Sequence, residues 1–334
     1  MPCTVVVCGF FGDTGKGKVV SYLALHDKLD IAVRAGVGPN AGHTVVYQGK
    51  RYVMRMLPSA FVYEKCRLLI GPGVLVDPEV FLKEVETVNA EGRAGLDPQC
   101  AIIEPKHKEA DRRGHLAKKV GTTGTGCGPA NADRALRIAK LARDIPELQK
   151  YLVDVPLEVN TALDEGKKVL IEGSQGTYLS LYHGTYPYVT SKDVTASAAC
   201  SDVGVGPTRV DDIIVVFKAY VTRVGGGPLP NELSWEEAER LGWAERASVT
   251  GRRRRSAPFN YELAKRAVML NGATMAAITK MDVLYPECSG AREYDELPRG
   301  AKEFVEKVEK AIGIPVSFIG TGPGVWDMID RREG

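Results

Sequence analysis

The sequence lacks long apolar runs: nothing in its 334 residues approaches the roughly 18 that span a bilayer. It lacks the basic-then-apolar opening of a signal peptide and goes straight into a strand-like run, so no targeting segment is expected. It lacks paired cysteines. The seven cysteines, at 3, 8, 66, 100, 127, 200 and 288, stand singly and form no C-x-x-C. That argues against structural zinc and for free thiols in a reducing cytoplasm. The five histidines form no H-E-x-x-H, which argues against a built-in transition-metal site. It lacks a strong charge of either sign, and a net +2 does not resemble a dedicated nucleic-acid binder. It has no internal repeat and no low-complexity tract. The expectation is a cytoplasmic protein with neither a membrane nor a nucleic-acid partner. Its length suits one α/β domain, 1–334, with small subdomains.

What is present is an alternation of strand-like and helix-like runs, the mark of an α/β fold with a largely parallel sheet. Strands are predicted at 4–8, 31–34, 67–71, 101–104, 168–173, 212–220, 275–280 and 314–319. Helices are predicted at 16–27, 78–91, 131–143, 235–241, 259–270 and 301–312. The stretch "VVYQGKRYVMRM" (45–56) reads as a hairpin around Gln48-Gly49-Lys50. Four glycine-rich or polar turns directly follow strand-like runs: "GFFGDTGKG", "EGSQGTY", "TKMD" and "GTGPG". In open parallel sheets ligands sit beyond the carboxyl ends of the strands, so the four turns should converge on one edge. Two longer polar stretches, 120–134 and 249–258, read as functional loops.

The first turn is written like a phosphate cradle but breaks the usual G-x-x-x-x-G-K-[ST] spacing. Asp13 sits inside it, and Gly17 stands where a hydroxyl should follow Lys16. Backbone N–H groups of Gly15, Lys16 and Gly17 at a helix start can hold phosphate oxygens, with Lys16 or Lys18 adding charge. An acid there fits if it holds Mg²⁺ or serves as a base. In "TKMD", Asp282 can accept two hydrogen bonds from the N1–H and amine of guanine, an edge adenine does not offer; taken alone it reads as a helix cap. His43 in "GPNAGHT" can stabilise charge on an oxygen or donate a proton; taken alone it reads as structural. Arg252 to Arg255 suit a polyanionic small molecule, or form a solvated basic patch. These pieces leave open a GTPase, a carboxylate-activating ligase of the dethiobiotin-synthetase kind, and an RNA-binding regulator.

Taken together, "GDTGKGK", "GPNAGHT", "VGTTGTGCGPA", "EGSQGTYLSLYHGTYPYVTS", "VTRVGGGPLPNEL", "TGRRRR", "TKMDVL" and "GTGP" resemble the adenylosuccinate synthetases, in that family's order and across almost the whole chain. The length resembles the compact archaeal form. One departure is Thr14, where the family usually has Glu. The resemblance implies a large, mostly parallel sheet flanked by helices, like that of phosphate-loop NTPases. It implies GTP-dependent ligation of IMP and L-aspartate with Mg²⁺, by a homodimer.

It also implies site residues. Asp13 and His43 would be catalytic, and Asp13 and the Gly42 carbonyl would hold the metal. GTP would meet Gly12, Gly15, Lys16, Gly17, Lys18, Gly42, His43, Thr44, Arg254, Lys280, Asp282, Gly320, Thr321 and Gly322. IMP would meet Asp13, Lys16, Asn40, Thr123, Gln175, Thr190 and Arg252, with Arg137 reaching it across the dimer interface. Aspartate would meet Val249, Thr250, Gly251, Arg252 and Arg254.

Overall fold

The run Cys3–Cys8 is buried at every position. A strand covered on both faces needs such an unbroken apolar run. Val5 and Val7 enter the core on one side and Val6 the core on the other, as the two-residue period of a strand requires. The computed structural model describes residues 2–113, 117, 120–247 and 251–332.

Among the described residues the main sheet has nine strands: β1 (Cys3–Cys8), β2 (Ile31–Arg34), β3 (Arg67–Ile70), β4 (Ala94–Leu96), β5 (Val169–Glu172), β6 (Asp212–Lys218), β7 (Met275–Thr279), β8 (Val316–Gly320) and β9 (Met328–Asp330). Their spatial order is β9-β8-β7-β6-β1-β5-β2-β3-β4. Every neighbouring pair is parallel except β8 with β9. The carboxyl ends of β1, β5, β7 and β8 therefore share one edge, and the four turns predicted to converge do so. The predicted hairpin is His43–Tyr47 paired with Lys50–Met54. Its two turn residues, Gln48 and Gly49, both have positive φ (49° and 74°), the conformation a tight hairpin favours.

Four expectations are corrected. The strand predicted at 212–220 ends at Lys218. The chain then leaves the sheet, and Tyr220–Arg223 pairs with Arg255–Pro258 in a separate ribbon. The loop predicted at 249–258 thus ends in a strand. The run predicted at 101–104 forms only Ala101–Ile102, beside Leu75–Val76 and outside the main sheet. The helix predicted at 131–143 spans Cys127–Leu136, because Gly126 starts it and Arg137, at φ 66°, ends it in the left-handed region. For the strands, apolar pattern alone cannot say which neighbour a run will pair with.

Candidate active site

The first loop owes its shape to positions that only glycine fills without cost. Gly15 has φ 77°, and a Cβ there would lie 2.9 Å from the Thr279 side chain. It begins the helix Lys16–His26 with no side-chain cap, leaving first-turn N–H groups without intrahelical partners. Gly17 packs on the hairpin: an added Cβ would come within 3.0 Å of His43 Cβ. The position that holds Ser or Thr in ordinary phosphate loops is therefore occupied by another element.

The loop opens onto a cavity of about 1160 Å³, beyond the roughly 300–1,000 Å³ of a pocket for one small ligand. Its wall includes Gly12, Asp13, Gly15, Lys16, Gly17, Lys18, Asn40, Gly42, His43, Thr44, Thr123, Gln175, Thr190, Arg252, Arg254, Lys280 and Gly322 from the predicted set. Among these, Gln175 Nε2 donates to Asn40 Oδ1 at 2.9 Å, and Asn40 Nδ2 lies 3.5 Å from Thr190 Oγ1. Residues 135 and 150 positions apart are thereby gathered into one polar cluster.

Next to it, Lys16 Nζ lies 2.9 Å from His43 Nε2. His43 Nδ1 meets Glu172, which lies fully buried at the end of β5. Glu172 also accepts from Arg34 NH1 at 3.1 Å, from the Ser59 amide at 2.6 Å and from the Ser59 hydroxyl at 2.8 Å. Burial alone would raise the Glu172 pKa; His43, Arg34 and Lys16 bring it below the usual carboxylate value. An ionised carboxylate only accepts, so against Glu172 the favoured His43 tautomer carries its proton on Nδ1 and leaves Nε2 to accept from Lys16, while Arg34 NH1, also beside Nδ1, turns its hydrogen to Glu172. Burial, Arg34 and Lys16 together hold His43 well below its ordinary pKa, so the ring is neutral at pH 7.

The arginine run is divided by strand parity. Arg252 donates to the Gly121 carbonyl at 2.9 Å, and Arg254 NH2 donates to Asp13 Oδ1 at 2.8 Å; both line the cavity. Arg253 lies over the Trp235 ring and Arg255 pairs with Glu232, away from it. Alternating direction is what an extended backbone imposes.

The family model described as adenylosuccinate synthetase matches residues 5–146 and 138–287. The chain is 60% identical to the adenylosuccinate synthetase of Archaeoglobus fulgidus, covering all of this chain and 99% of that protein. It is 58% identical to that of Pyrococcus sp. strain ST700, with the same coverage. The chain belongs to the adenylosuccinate synthetase family. Its fold matches a fully ligated adenylosuccinate synthetase from Plasmodium falciparum with a TM-score of 0.92 at 26% identity, over 98% of this chain and 99% of that one. Adenylosuccinate synthetases are GTP-dependent ligases that join IMP and aspartate in the first step of AMP synthesis, using Mg²⁺.

Not every residue expected from the adenylosuccinate synthetase resemblance reaches the cavity wall. Val249 and Thr250 lie outside the described residues. Gly251, Gly320, Thr321, Asp282 and Arg137 do not line the wall. Thr321 is fully buried; its amide donates to Asp327 O, its hydroxyl to Ala291 O, and its carbonyl accepts from Gly290. It builds the turn after β8. Lys18 lines the wall, but its ammonium points at two carbonyls of that turn, Gly322 O at 2.6 Å and Asp327 O at 2.5 Å.

Sequence reasoning missed Glu172, Arg34, Ser59, Lys218, Tyr220 and Glu245, which support the site. Glu172 alone left a signal, as the acid that opens "EGSQGTY". For Mg²⁺, the carboxylate of Asp13 and the carbonyl of Gly42 are hard oxygen donors in the cavity, which is the chemistry that ion takes. The residues fit the metal.

Burial draws the Lys16 pKa from 10.5 to about 8, partly offset by Glu172. Lys16 is cationic below that value and loses its charge above it. The expected result is that kcat/KM for GTP falls as pH passes about 8, since this ratio reports the free enzyme. Lys16→Arg, which stays charged, should move that fall to higher pH. A wild-type profile flat up to pH ~10 would show that Lys16 charge is not needed.

Proposed function

We propose that the chain joins IMP and L-aspartate through a 6-phosphoryl intermediate, with the cavity residues in defined roles. The observation that carries this reading is the convergence of Asp13, Lys16 and His43 with the Asn40–Gln175–Thr190 cluster in one cavity. In this reading the polar cluster, with Thr123 and Arg252, holds IMP so that its N1–H faces Asp13. Asp13 takes that proton, charge develops on O6, and O6 attacks the γ-phosphorus of GTP, breaking its bond to the bridging oxygen so that GDP leaves. Asp13 and the Gly42 carbonyl would hold Mg²⁺, which when bound would supply neutralisation of phosphate charge. The loop amides and Lys16 hold the phosphates.

His43 assists when Lys16 turns from Nε2 to the phosphates: Nε2 then takes a proton from solvent, the imidazolium is balanced by Glu172, and its Nε2–H donates to the transferring phosphoryl group. The aspartate amine then displaces phosphate from C6, with Arg252, Arg254 and the 249–251 segment orienting the amino acid. Lys280, Asp282 and the turn at 320–322 hold guanine. This is catalysis by positioning and charge stabilisation.

A homodimer belongs to the same proposal. Leu136 and Ile138, on either side of Arg137, are 67% and 64% exposed. Apolar side chains flanking an arginine suit an interface through which that arginine reaches a neighbouring site. A cytoplasmic setting is proposed from seven free thiols.

The test is an assay with IMP, GTP, L-aspartate and Mg²⁺, following the purine ultraviolet change and phosphate release while omitting each component. Both signals should need all of them. Phosphate released without IMP or aspartate would mean a GTPase on this scaffold. A second expectation concerns Glu172→Gln. It can no longer dictate the His43 tautomer, and kcat should fall about 10³-fold, as when the orienting carboxylate of a histidine is lost. A loss under about tenfold would remove Glu172 from the mechanism.

A further inference from the structure

Outside the roles above, one carboxylate gathers more charge than any fold requirement explains. Glu245 has a side chain only 15% exposed. Its Oε1 accepts from the Tyr220 hydroxyl and lies 3.9 Å from Lys280 Nζ. Its Oε2 accepts from Lys218 Nζ at 3.1 Å and from Arg254 NH1. Lys218 is itself buried and lines the cavity.

The backbone repeats the pairing. Arg254 N donates to Glu245 O at 2.9 Å, Ala247 N donates to Arg252 O at 2.9 Å, and Arg246 bridges Arg253 in antiparallel fashion. Residues 245 and 254 are thus opposite each other at the base of a loop. The segment expected to take aspartate, 249–251, lies between them in the sequence. Arg254 is held at both ends of its guanidinium fork, by Glu245 on NH1 and by Asp13 on NH2.

Without Glu245, Lys218 and Lys280 would lose an ion-pair partner and Arg254 would lose the anchor that aims it. We propose that Glu245 is a positioning residue that clasps the base of the 245–254 loop and aims Arg254 at Asp13, so that the aspartate end of the cavity is set in register with the base. The inference rests on the reading of Arg254 and Asp13 given above.

The test is steady-state kinetics on Glu245→Gln, Tyr220→Phe, Arg254→Leu and the Glu245→Gln/Arg254→Leu double variant, each with a thermal melt. Glu245→Gln keeps the size of the side chain and removes its charge. It should lower kcat about 30-fold and raise KM for L-aspartate about tenfold, the scale of a broken partly buried charge pair. KM for IMP should rise less, within about threefold, because of its proposed partners only Arg252 lies in the clasped loop and the Asn40–Gln175–Thr190 cluster makes no contact with Glu245. A purely structural role would not separate the two KM values. The double variant should be no worse than Arg254→Leu alone, since Glu245 acts through that arginine.

Should Glu245→Gln fail to fold, Tyr220→Phe loosens the same carboxylate from its other side and should show the same split, at about fivefold. Full activity in Arg254→Leu would overturn the site reading and this inference with it. An impaired Arg254→Leu beside a near-wild-type Glu245→Gln and Tyr220→Phe would overturn the inference alone. So would additive losses in the double variant.

Discussion

Replacing Asp13 should abolish turnover and leave the fold intact. The side chain is 24% exposed and its ion pair with Arg254 sits at the cavity wall, so little of the core depends on it. Its φ of 55° lies in the left-handed region, where Asn is tolerated better than Ala. Asp13→Asn is therefore the cleaner variant and Asp13→Ala the harsher one. On the roles proposed above, both remove the base for N1 and the anionic metal ligand, and Asp13→Ala also removes the acceptor that anchors Arg254. General-base loss alone is worth about 10²–10⁴-fold, and the combined loss should exceed ~10⁴-fold. The check is turnover of the purified variants alongside their melting temperatures. Activity within about tenfold of wild type in a folded variant would refute both assigned roles.

Asp282→Asn should exchange the nucleotide preference. Asp282 follows Lys280 in the short helix Met281–Leu284 after β7, and its Oδ1 is buried without a hydrogen-bond partner among the described residues. A buried carboxylate oxygen left unpaired costs on the order of 1–3 kcal/mol, a cost that a bound donor removes. Guanine presents two donors, N1–H and the 2-amino group. Xanthine carries a 2-oxo group, which wants a donor such as the Asn amide. Two charge-assisted hydrogen bonds of about 1.5–3 kcal/mol each are at stake. The ratio of kcat/KM for GTP over xanthosine triphosphate should therefore drop by about 10²–10⁴-fold. An unchanged ratio would place the base away from Asp282.

The turns were legible because their constraints are local. Gly15 must take positive φ, the β-branched run before it must extend, and the helix after it must start, and all of this lies within a dozen residues. The hairpin was legible for the same reason, through Gln48-Gly49 between two β-rich runs. The ribbon of Tyr220–Arg223 with Arg255–Pro258 was not, because its strands are more than thirty residues apart and the first continues the apolar run of β6 without a break. The arginine run looked like four equal cations until strand parity turned Arg252 and Arg254 inward and the other two outward.

By itself the sequence determined the alternating α/β order, the edge where the turns meet, and the family, since "HGTYPYVTS" and "TGRRRR" need no coordinates to be read. Tertiary structure alone decided the partners. Glu172 meets His43 across 129 positions, Arg254 meets Asp13 across 241, and Lys18 is drawn across 304 to the carbonyl of Gly322. The physical reason is that charge and hydrogen-bonding capacity belong to a residue type. Which group satisfies them depends on the strand order and burial that bring distant segments within about 3 Å of each other.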